Sequence, residues 1–243
     1  MNDDILLRRI NDIFSLCDKY HTPKFSHFLD EREQTVISKE MPYAFMFGGY
    51  DGAERRIIGA FPDWIEPGAA EFPIKLLTFK KRYDKPLSHR HYLGTILSLG
   101  IDRDRVGDIL ADDNGAYVFV CEDIAGFIKD GISKIAGVGV EIEISDCGEI
   151  KIPEKKFAEM NVICASMRLD AVVAAALNKS RNEAKAIILS GKAAVNHIDT
   201  VGVDYILKEG DLLSITGFGR VRISVIGGKT RSDKLHITLK KYL

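Results

Sequence analysis

No stretch of this sequence has the ~18 consecutive apolar residues that a membrane-spanning helix requires; runs such as Ala171 to Leu177 end well short of it. The start, Met1-Asn2-Asp3-Asp4, lacks a basic segment leading into an apolar one, so neither a secretion signal nor a membrane partner is expected. A cytoplasmic location is the expectation. Cysteine is scarce: Cys17, Cys121, Cys147 and Cys164 stand far apart and form no C-x-x-C pair, which argues against a disulfide framework and a zinc site. Reduced core thiols are expected, with no metal and no cofactor. Net charge is nearly absent too, at −1 over 243 residues, and by itself points to no polyanionic partner. What is present is the balance of an ordinary globular protein, 46% apolar and 28% charged, in a chain long enough for two or three small domains.

The near-zero charge conceals an asymmetry. Residues 161–243 hold 13 Lys and Arg against seven acidic residues, a net +6, which leaves −7 on residues 1–160. A basic C-terminal third on an acidic carrier is the electrostatic footprint of a nucleic-acid-binding module, although a solvated basic face gives the same count.

Ile5, Leu6, Ile10, Ile13, Phe14 and Leu16 fall at helical spacing and predict a first amphipathic helix; a second is expected over Phe25–Lys39. The apolar runs Tyr43–Phe47 and Arg56–Phe61 read as strands joined by the turn-forming Gly48-Gly-Tyr-Asp-Gly52. From Ile74 the predicted order is strand (Ile74–Phe79), helix (Ser88–Leu99), strand (Val106–Ala111), strand (Ala116–Cys121), helix (Glu122–Ile135) and strand (Val138–Ile144). That is the βαββαβ order of a ferredoxin-like plait. Such plaits often carry RNA on their sheet, yet the aromatic signature of an RRM is missing; Tyr117 and Phe119, at alternate positions, read first as ordinary sheet packing. Lys151–Lys156 is polar, contains Pro153 and reads as a connector. The expected fold class is α+β in three parts: a small α+β subdomain over 1–73, an RRM-like plait over 74–150 and a C-terminal domain over 161–243.

In the third part Ser166 is the expected N-cap of a helix with Leu169, Val172, Val173, Ala176 and Leu177 in one apolar stripe. Ser180-Arg-Asn-Glu183 is a capping box that opens the next helix, which Gly191 closes. Arg181 and Lys185 share that helix's outer face, and Lys179 and Lys192 bracket it. The unpaired amides of its N-terminus put Ser180 and Arg181 where a phosphate binds well. Short strands follow. The last two alternate Val221, Ile223, Val225 and Leu235, Ile237, Leu239 with Arg220, Arg222, Ser224 and His236, Thr238, Lys240, giving one apolar face and one basic face.

Arg168-Leu-Asp170, then Ser180, Arg181, Ala184, Ile187, Gly191, Lys192, Val195 and Asn196, then Glu209-Gly-Asp211, resembles the S4 (αL) RNA-binding domain, with His197 where that family usually has Gly. The resemblance implies that Arg168, Ser180, Arg181, Lys185 and Lys192 contact structured RNA, with Leu169 and Asp170 structural; Lys179 joins the candidate set on its position. The residues alone agree for Arg181 and Lys185. For Arg168 a salt bridge at the helix start is an equally good reading, and Arg181 can instead pair with Glu183 or Asp170. Standing behind Gly48–Pro62 and the run His91-Tyr-Leu-Gly-Thr-Ile-Leu-x-Leu-Gly100 to Ile109, the module is similar to the bacterial YlmH family over nearly the whole chain. That resemblance implies a non-enzymatic, ribosome-associated protein. It would bind large-subunit rRNA and tRNA in the rescue of stalled nascent chains, and in some bacteria its gene neighbours cell-division genes.

S4 modules are often attached to enzymes, but the motifs of such enzymes are missing. The extended G-R-L-D-type motif of a pseudouridine synthase does not occur, since Met167 precedes Arg168-Leu-Asp170, and neither H-I-G-H nor K-M-S-K-S is found. Gly137-Val-Gly139 follows a helix and opens none, so it reads as strand entry rather than a dinucleotide loop. His89 and His91, two apart at a helix start, do not face one another, and Asp51 and Glu54 read as turn residues. No catalytic residue is assigned. Arg55, Arg56, Arg90, Arg103 and Arg105 are a candidate second RNA patch, set against local salt bridges with the acidic residues around them. Two alternatives remain: an RNA-modifying enzyme whose active site lies in residues 1–150, and a cell-division adaptor using the acidic N-terminal part.

Overall fold

The computed structural model describes residues 3–68, 72–148, 157–196, 198–199, 202–230 and 232–242. The chain divides into two compact units, Met1–Pro153 and Glu154–Leu243, each of mixed α and β structure with antiparallel sheets.

The first unit opens with the expected amphipathic helix α1 (Asp3–Tyr20), which buries Leu6, Ile10 and Cys17. Helix α2 spans Glu31–Glu40 rather than 25–39. Asp30 sets its start through a capping box: the Glu33 N–H donates to Asp30 Oδ1 at 2.8 Å and the Asp30 N–H to Glu33 Oε2 at 2.9 Å. Ahead of it Lys24–Phe25 is strand β1, paired with β3 (Ile57–Ala60), which also pairs with β2 (Phe45–Phe47).

A five-stranded sheet follows, built from β4 (Ile74–Lys81), α3 (His89–Leu97), β5 (Val106–Ala111), β6 (Gly115–Cys121), α4 (Glu122–Gly131), β7 (Lys134–Ile135) and β8 (Val138–Asp146). Its strand order is β5-β6-β4-β8-β7, every pair antiparallel. Helix α4 stops before the expected Ile135, because Ala136 and Gly137, both at positive φ, form the hairpin turn between β7 and β8. One face of this sheet buries Leu77, Phe79 and Val118 against Tyr92, Ile96 and Ile128 of the two helices. The opposite face is covered as well: Leu76 and Phe119 pack with Phe28, Tyr50, Ile57 and Phe72. Tyr50 stacks on Phe119 with ring centroids 4.9 Å apart. Gly49, at φ +99°, permits this approach, since a Cβ there would collide with the Phe119 ring. Buried Asp108 pins the same loop, accepting from the Tyr50 hydroxyl at 2.7 Å and from the Glu54 and Arg55 N–H groups at 2.7 and 2.9 Å. Burial and the Asp108 charge push the Tyr50 phenol far above its ordinary pKa, so the hydroxyl remains a donor.

The second unit runs β9 (Phe157–Cys164), α5 (Leu169–Leu177), α6 (Arg181–Leu189), β10 (Ala193–Val195), β11 (Ile198–Asp199), β12 (Leu212–Ile215), β13 (Gly219–Lys229) and β14 (Leu235–Tyr242), in a sheet of order β11-β10-β12-β13-β14-β9. Strand β9 had no counterpart in the sequence reading, and it carries the sheet back to Phe157, ahead of position 161. The connector Lys151–Lys156 and His197 lie outside the described residues. Leu169, Val172 and Ile188 of the helices pack on Leu213, Val221 and Leu239 of the sheet. The alternation expected along β13 breaks after Ile223: Ile223 pairs with Leu239 but Val225 with Thr238, so two residues oppose one. This bulge turns Val225, 49% exposed, onto the open face and returns Ile226 to the side of Ile237.

Candidate nucleic-acid interface

Helices α5 and α6 are joined by three residues, and each has its own reason for stopping or starting there. Asn178 adopts the left-handed conformation (φ +51°), while the Lys179 N–H reaches the Ala174 carbonyl at 2.9 Å and the Asn178 N–H the Ala175 carbonyl at 3.3 Å. That is a Schellman closure with Asn in the position Gly usually takes. Lys179 sits at the corner. Ser180 then caps α6: its hydroxyl oxygen accepts the Glu183 N–H at 3.3 Å, and Glu183 Oε2 accepts the Ser180 N–H at 2.9 Å and its hydroxyl proton at 2.8 Å. Lys179 Nζ lies 3.1 Å from Glu183 Oε1. The Ser180 hydrogen bonds, backbone first, and then Lys179 hold the Glu183 carboxyl down at about 2. At the helix start that the sequence offered to a phosphate, the amide and hydroxyl of Ser180 thus already serve the protein's own carboxylate. Ser180 is fully engaged as a cap.

Helix α5 is capped at Arg168, not at the expected Ser166. Residues 203–207 account for the difference, because they keep 167–168 extended through a bridge between Arg168 and Ile206 and a hydrogen bond from the Leu207 N–H to the Met167 carbonyl at 2.8 Å. The Leu169 and Asp170 N–H groups donate to Tyr205 and Val203 at 2.8 and 3.0 Å, which satisfies the first amides of α5. The Asp170 side chain is only 1% exposed. Its Oδ1 accepts from Arg181 Nη2 at 2.8 Å and Arg168 Nε at 3.2 Å, and its Oδ2 from Arg168 Nη2 at 3.4 Å. Burial pushes this carboxyl upward, but the hydrogen bonds from Arg168 and Arg181 outweigh it, and Asp170 ionises below the ordinary carboxylate range. Both salt-bridge readings therefore hold, with Asp170 rather than Glu183 as the partner of Arg181. The arginines are not used up by it. Their side chains stay 37% and 49% exposed, and a guanidinium has five donors, so Asp170 orients two forks from two helices and leaves most of their N–H groups for another partner.

Lys185 stands one turn after Arg181 on α6 and is exposed; Lys192 is exposed beyond the other end, and neither has an ion pair among the described residues. The Gly191 and Lys192 N–H groups close α6 on the Ile188 and Ile187 carbonyls, with Gly191 at φ +69°. Lys192 there borders a surface concavity of about 270 Å³, lined also by Ala194, Ser214, Thr216 and Arg220. The structure thus gathers Arg168, Arg181 and Lys185 on one side, ties Lys179 and Ser180 to Glu183, and sets Lys192 beside Arg220. Tyr242, whose ring lies against Arg220, and Phe157 beside it did not figure in the sequence reading. The alternation along 157–164 was the signal that could have placed Phe157 on the open sheet face.

Of the candidate patch in the first unit, Arg90 is exposed and the other four arginines are engaged locally. Arg55 donates to the carbonyls of Val106 and Phe28 at 3.1 and 3.0 Å, Arg103 donates to Val106, Arg56 to Ala53 at 2.9 Å, and Arg105 pairs with Asp123. Burial, then the nearby Arg55, lowers Arg103 to about 10. These side chains brace loops. His91 has a similar task, its Nδ1 accepting the Ser88 N–H at 3.0 Å at the start of α3. The cysteines are free thiols, and burial raises Cys121 and Cys147 to about 11, the opposite of an activated nucleophile. Among the described residues no three His, Cys, Asp or Glu side chains gather as a metal site, and no helix is long and apolar enough to cross a membrane.

A family model described as "Putative RNA-binding domain in YlmH" matches residues 67–149. The ribosome-associated protein quality control protein P2 of Bacillus subtilis (strain 168) is 34% identical over 226 residues, which cover 90% of this chain and 87% of that protein. Among solved structures, cell division protein ylmH from Streptococcus pneumoniae superposes with a TM-score of 0.52 at 19% identity, over 60% of this chain and 92% of that one, a likeness of fold. With a relative of that identity matched over most of both lengths, and the family's own domain in the middle, the chain belongs to the YlmH family.

Proposed function

We propose that this protein binds structured RNA on the ribosome without catalysing a reaction, chiefly through residues 154–243 organised as an S4 domain. Residues 1–73 would be a cap and 74–150 an RRM-like plait. The observation that carries the reading is the buried Asp170 carboxylate holding two half-exposed guanidiniums from separate helices, with Lys185 a turn further along. Arginine forks fixed in direction suit phosphate oxygens, which accept two parallel N–H bonds. The β5-β6-β4-β8 order with both helices on one face supports the plait. The relative's name supports the ribosome as the setting, and large-subunit rRNA and tRNA, in the cytoplasm, are the partners this reading names.

The family's RNA-binding domain lies in 67–149, and there the usual stacking face is filled: Phe119 is under Tyr50. Beyond that cover the same face bears a paired charge, Lys80 with Glu143 at 2.7 Å. Residues 67–149 would contribute through their rim, where Lys85, Arg90 and Lys134 are exposed. Sedimentation through a sucrose gradient tests the proposal. The full chain should travel with large ribosomal subunits, and Lys185→Ala with Lys192→Ala should move it to the top of the gradient; free migration of the unaltered protein defeats the reading.

A further inference from the structure

We infer that the open face of the second unit's sheet is a second RNA contact, one that takes unpaired nucleotides; this deepens the RNA-binding reading and rests on it. Cross-strand pairing lays out the surface. Ala194 is opposite Ser214 and Ser214 opposite Arg220, while Tyr242 is opposite Phe157. The Arg220 guanidinium lies 4.8 Å from the Tyr242 ring centroid and links the two halves into one row. Five strands about 4.8 Å apart make that row about 19 Å long. In the next row Arg222 faces Lys240, which faces Glu159. The Phe157 ring meets Tyr242 edge-on at 4.9 Å and stays 40% exposed. Arg222 Nε donates to the Tyr242 hydroxyl at 3.2 Å.

Like charges directly opposite on a sheet are destabilising, and the Arg222 and Lys240 pair has one carboxylate, Glu159, beside it in its row. An anionic occupant relieves that repulsion. The rings select among anions. Tyr242 holds the Arg220 plane against an aromatic surface, and guanidinium planes and rings are the platforms on which unstacked bases lie, whereas a duplex keeps its base faces to itself. The row begins at the concavity that Arg220 shares with Lys192, Ser214 and Thr216, so a strand leaving a helix bound near α6 has a basic path onto the sheet.

The test uses the full chain and two probes, an RNA hairpin and the same hairpin extended by about six unpaired uridines. The unaltered protein should bind the extended probe about tenfold more tightly. Arg222→Ala with Lys240→Ala should abolish that preference, leave plain-hairpin affinity unchanged and not lower the thermal midpoint; Phe157→Ser should weaken only the extended probe. Equal affinity of the unaltered protein for both probes, or a variant that loses both alike, overturns the inference while sparing the RNA-binding reading. Binding of neither probe overturns both. Variants that keep both affinities but no longer sediment with ribosomes would assign the face to a protein partner and also overturn it.

Discussion

Asp170 is the residue on which the proposed binding and the stability of the second unit meet. Its folded pKa lies below the ordinary value of 3.8, so the stability it contributes is present above that value and is lost as pH falls through the folded one. Glu183, lowered from 4.5 to about 2, acts in the same direction. Denaturant titrations from about pH 6 to about pH 2 should show the second unit weakening below about pH 4.5, and Asp170→Asn should flatten part of that slope. The same substitution should cost about 1–3 kcal/mol at neutral pH, the loss expected when a buried ionic acceptor is removed and its two cations are left able to resolvate. Arg181 and Lys185 separate the roles. Arg181→Ala should lower both the thermal midpoint and RNA affinity, because its guanidinium serves Asp170 and the proposed phosphate together. Lys185→Ala should lower affinity alone, with a salt slope reduced by about 0.9. A destabilised Lys185→Ala would show that Lys185 makes a structural contact and contradict its assignment to binding alone.

At the level of elements, the order and kind of most helices and strands were legible, and so was the capping box that opens α6, because local hydrogen bonding decides it; the Asp30 box of α2 went unread. The Asp30 box stood within the helix expected over 25–39 and moves its start to Glu31. What remained hidden depended on distant chain. Helix α5 has its N-cap at Arg168 because residues 203–207 pair with the chain there, and the exposure of Val225 follows from a bulge against β14. Strand β9 was legible in principle, since Ala158, Met160, Val162 and Cys164 alternate with Phe157, Glu159, Asn161 and Ile163, but its charged approach read as connector. Of the site, the basic residues were visible as charge, whereas the burial of Asp170 and the occupation of the α6 start by Glu183 needed three dimensions. Two substitutions probe these elements. Ser180→Ala should cost about 1 kcal/mol through the lost cap and leave RNA affinity unchanged; a large loss of binding would return Ser180 to the contact set. Phe119→Ala should cost about 3–5 kcal/mol and leave hairpin affinity intact, since the ring is core beneath Tyr50. A stable Phe119→Ala protein with weakened RNA binding would instead mean that the sheet opens to RNA.

Across the whole molecule, charge and shape divide the labour. The acidic first unit fills both faces of its five-stranded sheet with its own side chains and uses Arg55, Arg56, Arg103 and Arg105 as braces, while the second unit keeps its cations at helix ends and on an open sheet face. RNA binding should therefore follow the second unit. The most direct measurement is the salt dependence of full-chain affinity for a structured RNA, before and after Lys185→Ala with Lys192→Ala, two exposed residues without ion pairs among those described. The slope of log affinity against log salt should fall by about 1.8, with an unchanged thermal midpoint. An unchanged slope, together with a fall when Lys85, Arg90 and Lys134 are replaced instead, would place the principal RNA contact in the first unit and contradict the central claim.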